Sequence, residues 1–407
     1  MRILFVHQNF PGQFKHLAPA LVARGHQVTA MTMRPSATAR WQGVRLVPYV
    51  VSRGSTLGIH PWVAEIEART IRREAAFRKA LHLKSRGYEP DVIIAHPGWG
   101  ESLFLKDAWP RARLGIYSEF HYHPQGTDLG FDPEFPGTDE ATAPRMRLRN
   151  VNNFLHFEVA DAGIAPTHWQ AGLFPATFRE RITVVHDGID TAAVRPNEHV
   201  ALTVDGALLT RADEVVTFAN RNLEPYRGYH VFMRALPQLL RERPNARVLI
   251  VGGAGVGYGQ APPEGTTWRD LFLAEVSPRL PEGALQRIHF LGNLPYDKFI
   301  ALLQLSSVHV YLTYPFVLGW SLLEAMSAGC AVVASDTAPV REVVEDGVTG
   351  RLVPFFDTAT LASSIAALLG DANARQELGS RARGHIVARY DLRTRCLPRQ
   401  VAWVESL

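Results

Sequence analysis

Short apolar runs alternate with segments whose apolar residues recur every three or four positions, and this pattern persists along nearly the whole chain. "RILFVHQ" (2–8) is a continuous apolar run, the signature of a strand buried on both faces. "FKHLAPALVARGH" (14–26) has helical spacing at Leu17, Leu21 and Val22, and "QVTAMT" (27–32) reads as the next strand. A helix near 62–86 precedes the strands "PDVIIAHP" (90–97) and "ARLGIYSEF" (112–120). A helix over 144–160 then leads to "AGIAPT" (162–167) and "ITVVHDGID" (182–190). After "RPNEHVALTVDGALLTRAD" the alternation restarts with "EVVTFANRN" (214–222), a helix at 228–243, "ARVLIVGG" (246–253) and "RIHFLGN" (287–293). A helix at 296–305 and the runs "VHVYLTYP" (308–315), "CAVVAS" (330–335) and "GRLVP" (350–354) complete it. Strands alternating with helices predict an α/β protein whose doubly wound parallel sheets are covered on both faces. The restart predicts two Rossmann-like domains, 1–195 and 196–387, with a final helical segment 388–407 packing back on the first.

Composition narrows this picture. A chain of 407 residues is too long for one ordinary core. Its 46% hydrophobic and 20% charged residues are those of a globular protein. A net charge of +4 suits anionic small molecules and is too weak to argue for nucleic acid. Two cysteines, Cys330 and Cys396, make no disulfide framework or metal site. No apolar run reaches the length of a membrane span, and the start reads as a strand rather than a signal peptide, so a cytoplasmic protein is expected. The helix "RTIRREAAFRKALHLKSRG" (69–87) is basic on its polar side, which suits either solvent or peripheral contact with an anionic membrane.

In open parallel sheets ligands sit beyond the carboxyl ends of the strands, so strand-to-helix turns carry the candidate chemistry. "NFPGQF" (9–14) places Gly12 where the backbone can approach a ligand, but it is not the GxGxxG of a dinucleotide site. "NRNLEPYRGYH" (220–230) sets Arg221 and Arg227 around a turn before a helix, a candidate diphosphate clamp. "VGGAGVGYG" (251–259) is glycine-rich without the Lys-Ser/Thr of a P-loop. "YPFVLGWSLLEAMSAG" (314–329) opens a helix at Gly319, so the amides of Trp320, Ser321 and Leu322 suit an anion. Glu324 lies one turn in; it either complements the helix N-terminus or turns toward neutral hydroxyls such as a ribose diol. On spacing alone it reads as a helix feature.

These residues carry a resemblance. "GWSLLEAMSAGCAVVASDTAPVREVVEDGVTGRLVP" resembles the nucleotide-binding region of family 4 glycosyltransferases, with their Gly-x-x-x-x-Glu-Ala-Met run and later Glu-x-x-x-x-Gly-x-x-Gly. Gly12 is similar to the family's glycine-loop position, "VVHDGID" to its linker strand, and "NRNLEPYRGY" to its Gly-Arg-Leu…Glu-Lys-Gly-Tyr, with Arg227 at the lysine position. "HFLGNL" resembles its base-binding turn, at Asn293. The resemblance implies the GT-B architecture, two facing Rossmann-like domains with a cleft between them, the donor in the second and the acceptor largely in the first. It implies a hexosyltransferase-type enzyme that transfers sugar, with retention, from a UDP- or GDP-linked donor to a hydroxyl acceptor, in polysaccharide or glycoconjugate synthesis. No cofactor is expected, and no metal on the diphosphate. In this reading Arg221, Arg227 and the amides from Trp320 to Leu322, on the helix that Gly319 opens, hold the diphosphate, and Glu324 the ribose.

One position departs from the family pattern. The first glutamate of Glu-x7-Glu, which touches the transferred sugar, is replaced by Phe316, and no acidic residue occurs from Val310 to Leu323. Tyr314 or Phe316 is then expected to pack on the sugar. The family histidine that reaches the sugar falls in "YSEFHYHPQGTDLGFDPEF", where Glu119 and His121 are both candidates. His186 and Asp187 stand at the domain junction, as turn or functional residues. Two rivals stay open: a nucleotide-sugar-binding protein that has lost transfer, for which Phe316 argues, and an NAD-dependent oxidoreductase, which lacks its fingerprint here.

Overall fold

In a computed structural model, which describes residues 1–35 and 38–407, the first apolar run becomes a central strand. β1 (Arg2–Val6) is flanked on one side by β2 (Gln27–Thr32), β3 (Arg40–Trp41) and β4 (Val44–Pro48). On the other side lie β5 (Val92–Ala95), β6 (Arg113–Tyr117), β7 (Ala162–Ala165) and β8 (Ile182–Val184). The order is β3-β4-β2-β1-β5-β6-β7-β8, parallel except for the β3–β4 pair. Because side chains alternate across a strand, Leu4 and Val6 enter one core with Ile93, Ala95 and Leu114, while Ile3 and Phe5 enter the other with Val92 and Ile94. The helices include α1 (Leu17–Ala23), α2 (Pro61–Ser85) and α3 (Thr142–Val159).

The second sheet, all parallel, repeats the plan. Its strands are β11 (Val215–Asn222), β12 (Arg247–Gly253), β13 (Ile288–Gly292), β14 (Val308–Tyr311), β15 (Ala331–Ser335) and β16 (Arg351–Val353), ordered β13-β12-β11-β14-β15-β16. A hairpin of β9 (Ala201–Val204) and β10 (Ala207–Thr210) precedes it, and α4 (Tyr229–Glu242) and α5 (Trp320–Ser327) are the helices that bear on the site. In each sheet the strand order reverses beside the first strand, between β1 and β5 and between β11 and β14. These switch points open the crevices where ligands bind.

The chain divides differently from the expected cut at 195. One compact unit comprises Met1–Pro124, Thr138–Gly188 and Arg393–Leu407; the other comprises Gln125–Gly137 and Ile189–Leu392. The terminal helix Leu397–Glu405 packs on α1, where Trp403 and Val404 join the core of Phe5 and Leu21. The segment 125–137 departs from the expected domain 1–195, because its side chains are built into the second unit's interior.

Candidate functional site

In the first unit, β1 and β5 end at His7 and His96, whose rings lie 5.7 Å apart edge to face. The His7 Nε2 is 3.0 Å from the Gln13 Oε1, and the Gln13 amide donates to Glu119, 3.4 Å away, at the end of β6. Glu119 also lies 3.3 Å from His96 Nε2. Burial works against ionisation of Glu119, but His96 and Gln13 outweigh it and hold the carboxyl below its usual range. Burial, reinforced by His96, lowers the His7 pKa to about 4. Gly12 closes this turn at φ +50°, and a Cβ there would stand 2.5 Å from the His7 ring. Its place is therefore set by close approach as well as by backbone conformation.

His121 is not in this group. Its ring lies among Phe154, Phe157, Phe174 and His123, and neither ring nitrogen has a hydrogen-bond partner among the described residues. Burial lowers its pKa to about 4, so it is neutral at pH 7. Of the two candidates, the structure places Glu119 with a histidine, and that histidine is His96. Asp187 accepts from the Tyr117 hydroxyl at 3.0 Å, and the His186 ring accepts from the Gly188 amide.

In the second unit Arg227 is buried in the turn after β11, and one guanidinium nitrogen donates to Thr313 Oγ1 (2.7 Å) and the Val317 carbonyl (3.1 Å) beyond β14. The cation stands over the rings of Tyr258 (5.2 Å) and Phe316 (5.7 Å). It thus spans the switch point with its other N–H groups unspent among the described residues. Gly228, at φ +69°, lets α4 start against Leu312, since a Cβ would meet Leu312 at 2.3 Å. Arg221 is exposed and makes no ion pair among the described residues, so the two arginines are not equivalent. Buried Glu224 accepts from the amides of Gly257, Tyr258 and Gly259, which fixes the glycine-rich loop and sets Tyr258 beside Phe316 (4.9 Å).

At α5, the Gly319 amide donates to the Tyr311 hydroxyl (2.7 Å), and Gly319 stands just before the helix whose first amides, from Trp320 to Leu322, are the expected anion donors. Trp320, Ser321 and Leu322 form the first turn. Glu324 is buried, and its Oε1 accepts from the Tyr296 hydroxyl at 2.7 Å, a partner the expectation of a ribose contact did not include. Burial, then Glu324, raises the Tyr296 pKa. Asn293 is exposed, with its amide beside Gly253. Tyr314 faces inward, its hydroxyl donating to Asp132 at 2.5 Å, so of Tyr314 and Phe316 it is Phe316 that stands beside Arg227.

Asp132 comes from the segment 125–137, which lines this region. Asp128 accepts from the Tyr226 hydroxyl, and Asp132 also pairs with His230 at 3.0 Å, both side chains being 1% exposed. Phe131 packs on Tyr314, Phe355 and Phe356; Phe135 packs on Trp268 and Phe272. Among the described residues no group of His, Cys, Asp and Glu is arranged to hold a metal, and no helix is long and apolar enough to cross a membrane. On the basic helix, Arg69 and Arg73 point inward rather than toward a surface.

Residues 24–194 match the family described as glycosyl transferase family 4 group, and residues 206–385 match glycosyl transferases group 1. A D-inositol 3-phosphate glycosyltransferase of Mycobacterium marinum is 30% identical over 376 residues, 89% of this chain and 73% of that one. The chain belongs to the family 4, group 1 glycosyltransferases. An enzyme of the same name from Nocardia farcinica is 30% identical over 251 residues, 60% of this chain but only about half (53%) of that relative. Two solved structures share the glycosyltransferase's fold at 19% identity. One is an Anabaena protein in complex with UDP and glucose (TM-score 0.69, all of both chains); the other is a sucrose-phosphate synthase from Thermosynechococcus elongatus (TM-score 0.74, 100% and 99% covered). The parallel-sheet units are those of the GT-B fold.

Proposed function

We propose that this glycosyltransferase moves a sugar, with retention of configuration, from a UDP- or GDP-linked donor to a hydroxyl acceptor. The donor lies on the second unit and the acceptor on the first. The observation that carries this reading is Arg227, held between Tyr258 and Phe316 across the β11–β14 switch point with donors to spare. A guanidinium so fixed is preorganised for the charge that grows on a departing diphosphate. The first turn of α5 adds amides and the positive end of its dipole. Arg221 adds a second, solvent-screened cation, Glu324 with Tyr296 offers acceptors for the ribose, and Asn293 stands near the base. The bond from the anomeric carbon to the phosphate oxygen breaks as the acceptor oxygen bonds the same face. The acceptor proton passes to the leaving phosphate oxygen, so no dedicated base is required. Complexes with UDP in a protein of the same fold support the donor class.

The binding-only reading rests on Phe316, an apolar ring where the family carries a carboxylate. A panel of UDP- and GDP-sugars, with nucleotide diphosphate release and product anomer read by NMR, tests both. Release that Arg227→Ala abolishes, with a retained anomer, supports transfer. Tight donor binding with neither hydrolysis nor transfer supports binding alone, and an inverted anomer refutes retention.

A further inference from the structure

Around Arg227 the walls of the second unit are mostly rings. Tyr226, in the same turn, packs on Tyr314 (4.8 Å between centroids), Phe316 (5.1 Å) and Tyr258 (5.9 Å). Small-molecule sites combine such apolar walls with a few placed polar groups. Sugar hydroxyls need acceptors there, because each leaves hydrogen bonds to water behind. The turn after β14 supplies no carboxylate, since no acid occurs from Val310 to Leu323. Three carboxylates from elsewhere reach these rings or the loop that carries Tyr258. Glu224 is spent on the amides of Gly257, Tyr258 and Gly259. Asp132, 1% exposed, is spent on His230 and Tyr314. The third is Asp128, 9% exposed, which accepts from the Tyr226 hydroxyl. A carboxylate has lone pairs for about four hydrogen bonds, so this one bond leaves acceptor capacity.

Asp128 is also held in place. It lies between Gly126 (φ +77°) and Gly130 (φ +68°), in a turn closed by the Phe131 amide on the Asp128 carbonyl (3.4 Å). Farther along the segment, Asp132 on His230 and Glu134 on Arg234 (2.6 Å) fasten it to α4, and Phe135 packs on Trp268. We infer that Asp128 is a specificity-determining residue, its carboxylate accepting from hydroxyls of the donor sugar. Sugar selection then sits on the segment 125–137 instead of the turn that carries Phe316. The charge argues for this portion of the ligand. A carboxylate repels diphosphate, whereas neutral hydroxyls next to the diphosphate are donors that suit it. The inference rests on the donor reading of this site.

Calorimetry with UDP, GDP, UDP-glucose, UDP-galactose and GDP-mannose tests it. The quantity read is the Kd of each nucleotide sugar divided by that of its free nucleotide diphosphate. Asp128→Asn, which keeps the shape of the side chain, is expected to raise this ratio fivefold or more for the sugar that the parent binds best. Affinity for the free diphosphate is expected to hold or to tighten. Asp128→Glu, which keeps the charge and moves it by one methylene, is expected to change the order of preference among the three sugars. Asp132→Asn loosens the same segment and is the control for a merely structural role, expected to cost stability and to shift the ratio less than twofold. An unchanged ratio in Asp128→Asn, a parallel loss of diphosphate and sugar affinity, or an Asp132→Asn shift as large as that of Asp128→Asn overturns the inference. So does a parent that binds UDP or GDP but none of the three sugars. A parent that binds neither UDP nor GDP defeats the donor reading itself, and this inference with it.

Discussion

Arg221 and Arg227 look alike in sequence, six residues apart in one turn, yet burial separates them. Arg227→Ala is expected to weaken nucleotide diphosphate binding by about 1.5–3 kcal/mol, the range for a charge-assisted bond made by a positioned group. Arg221→Ala, solvent-screened, is expected to lose less than about 1 kcal/mol. Calorimetry with UDP and GDP reads both, and equal losses would contradict the asymmetry. Glu324 is the second case. Its carboxylate has one oxygen on Tyr296, so Glu324→Gln is expected to lower ribonucleotide diphosphate affinity by about 1.5–3 kcal/mol while sparing a dideoxy analogue. Loss for both ligands, or for neither, would mean that the carboxylate serves Tyr296 and the helix alone. The turn spacing singled out Arg227, whereas Phe316 and the ribose role of Glu324 came only with the family resemblance, since on spacing alone Glu324 reads as a helix feature. His96, Gln13, Glu224 and Tyr296 escaped it, because their partners lie far along the chain and only folding makes the pairs. The ending of "PDVIIAHP", a histidine just past a buried strand, was the one available signal for His96.

At the scale of elements, the period-2 and period-3.6 patterns revealed both sheets, while two elements stayed hidden. The β9–β10 hairpin lay in a stretch to which no element was assigned, although its Asp205-Gly206 turn, with φ +47° and +81°, is a hairpin signal. The segment 125–137 has no period at all. Its order comes from buried acids that meet Tyr226, Tyr314 and His230, contacts no local pattern encodes. Burial opposes ionisation of Asp132, but His230 and Tyr314 hold its carboxyl below the usual range. A depressed carboxyl stabilises the fold above its unfolded pKa of about 4, and that contribution fades as pH falls through the folded value. Asp132→Asn is therefore expected to destabilise the second unit by about 1–3 kcal/mol at pH 7. Urea unfolding checks this, and a variant as stable as the parent would show that the segment rests on its phenylalanines alone.

Across the whole molecule the buried histidines are unevenly shared. In the first unit His7, His121, His156 and His186 all have pKa values lowered to about 4, chiefly by burial. In the second, His309 is lowered to about 4 and His385 is lowered less far. A histidine kept neutral by the fold stabilises it fully above the unfolded value near 6.5. Between that value and about 4, the unfolded chain binds a proton that the folded one refuses. Stability then falls with pH, by up to roughly 3 kcal/mol for each such histidine at full protonation. The first unit holds more of them, so acid is expected to unfold it before the second. In calorimetry at pH 7 and pH 5, the transition that a bound nucleotide diphosphate does not raise is expected to drop further, since ligand stabilises the unit that binds it. His121 provides the control. Its ring sits among phenylalanines with neither nitrogen hydrogen-bonded among the described residues, so His121→Phe removes a protonation site with little change in shape. The variant is expected to be at least as stable as the parent at pH 7 and more clearly stabilised at pH 5. A parallel fall of both transitions, or a His121→Phe gain that does not grow in acid, would place the acid sensitivity elsewhere.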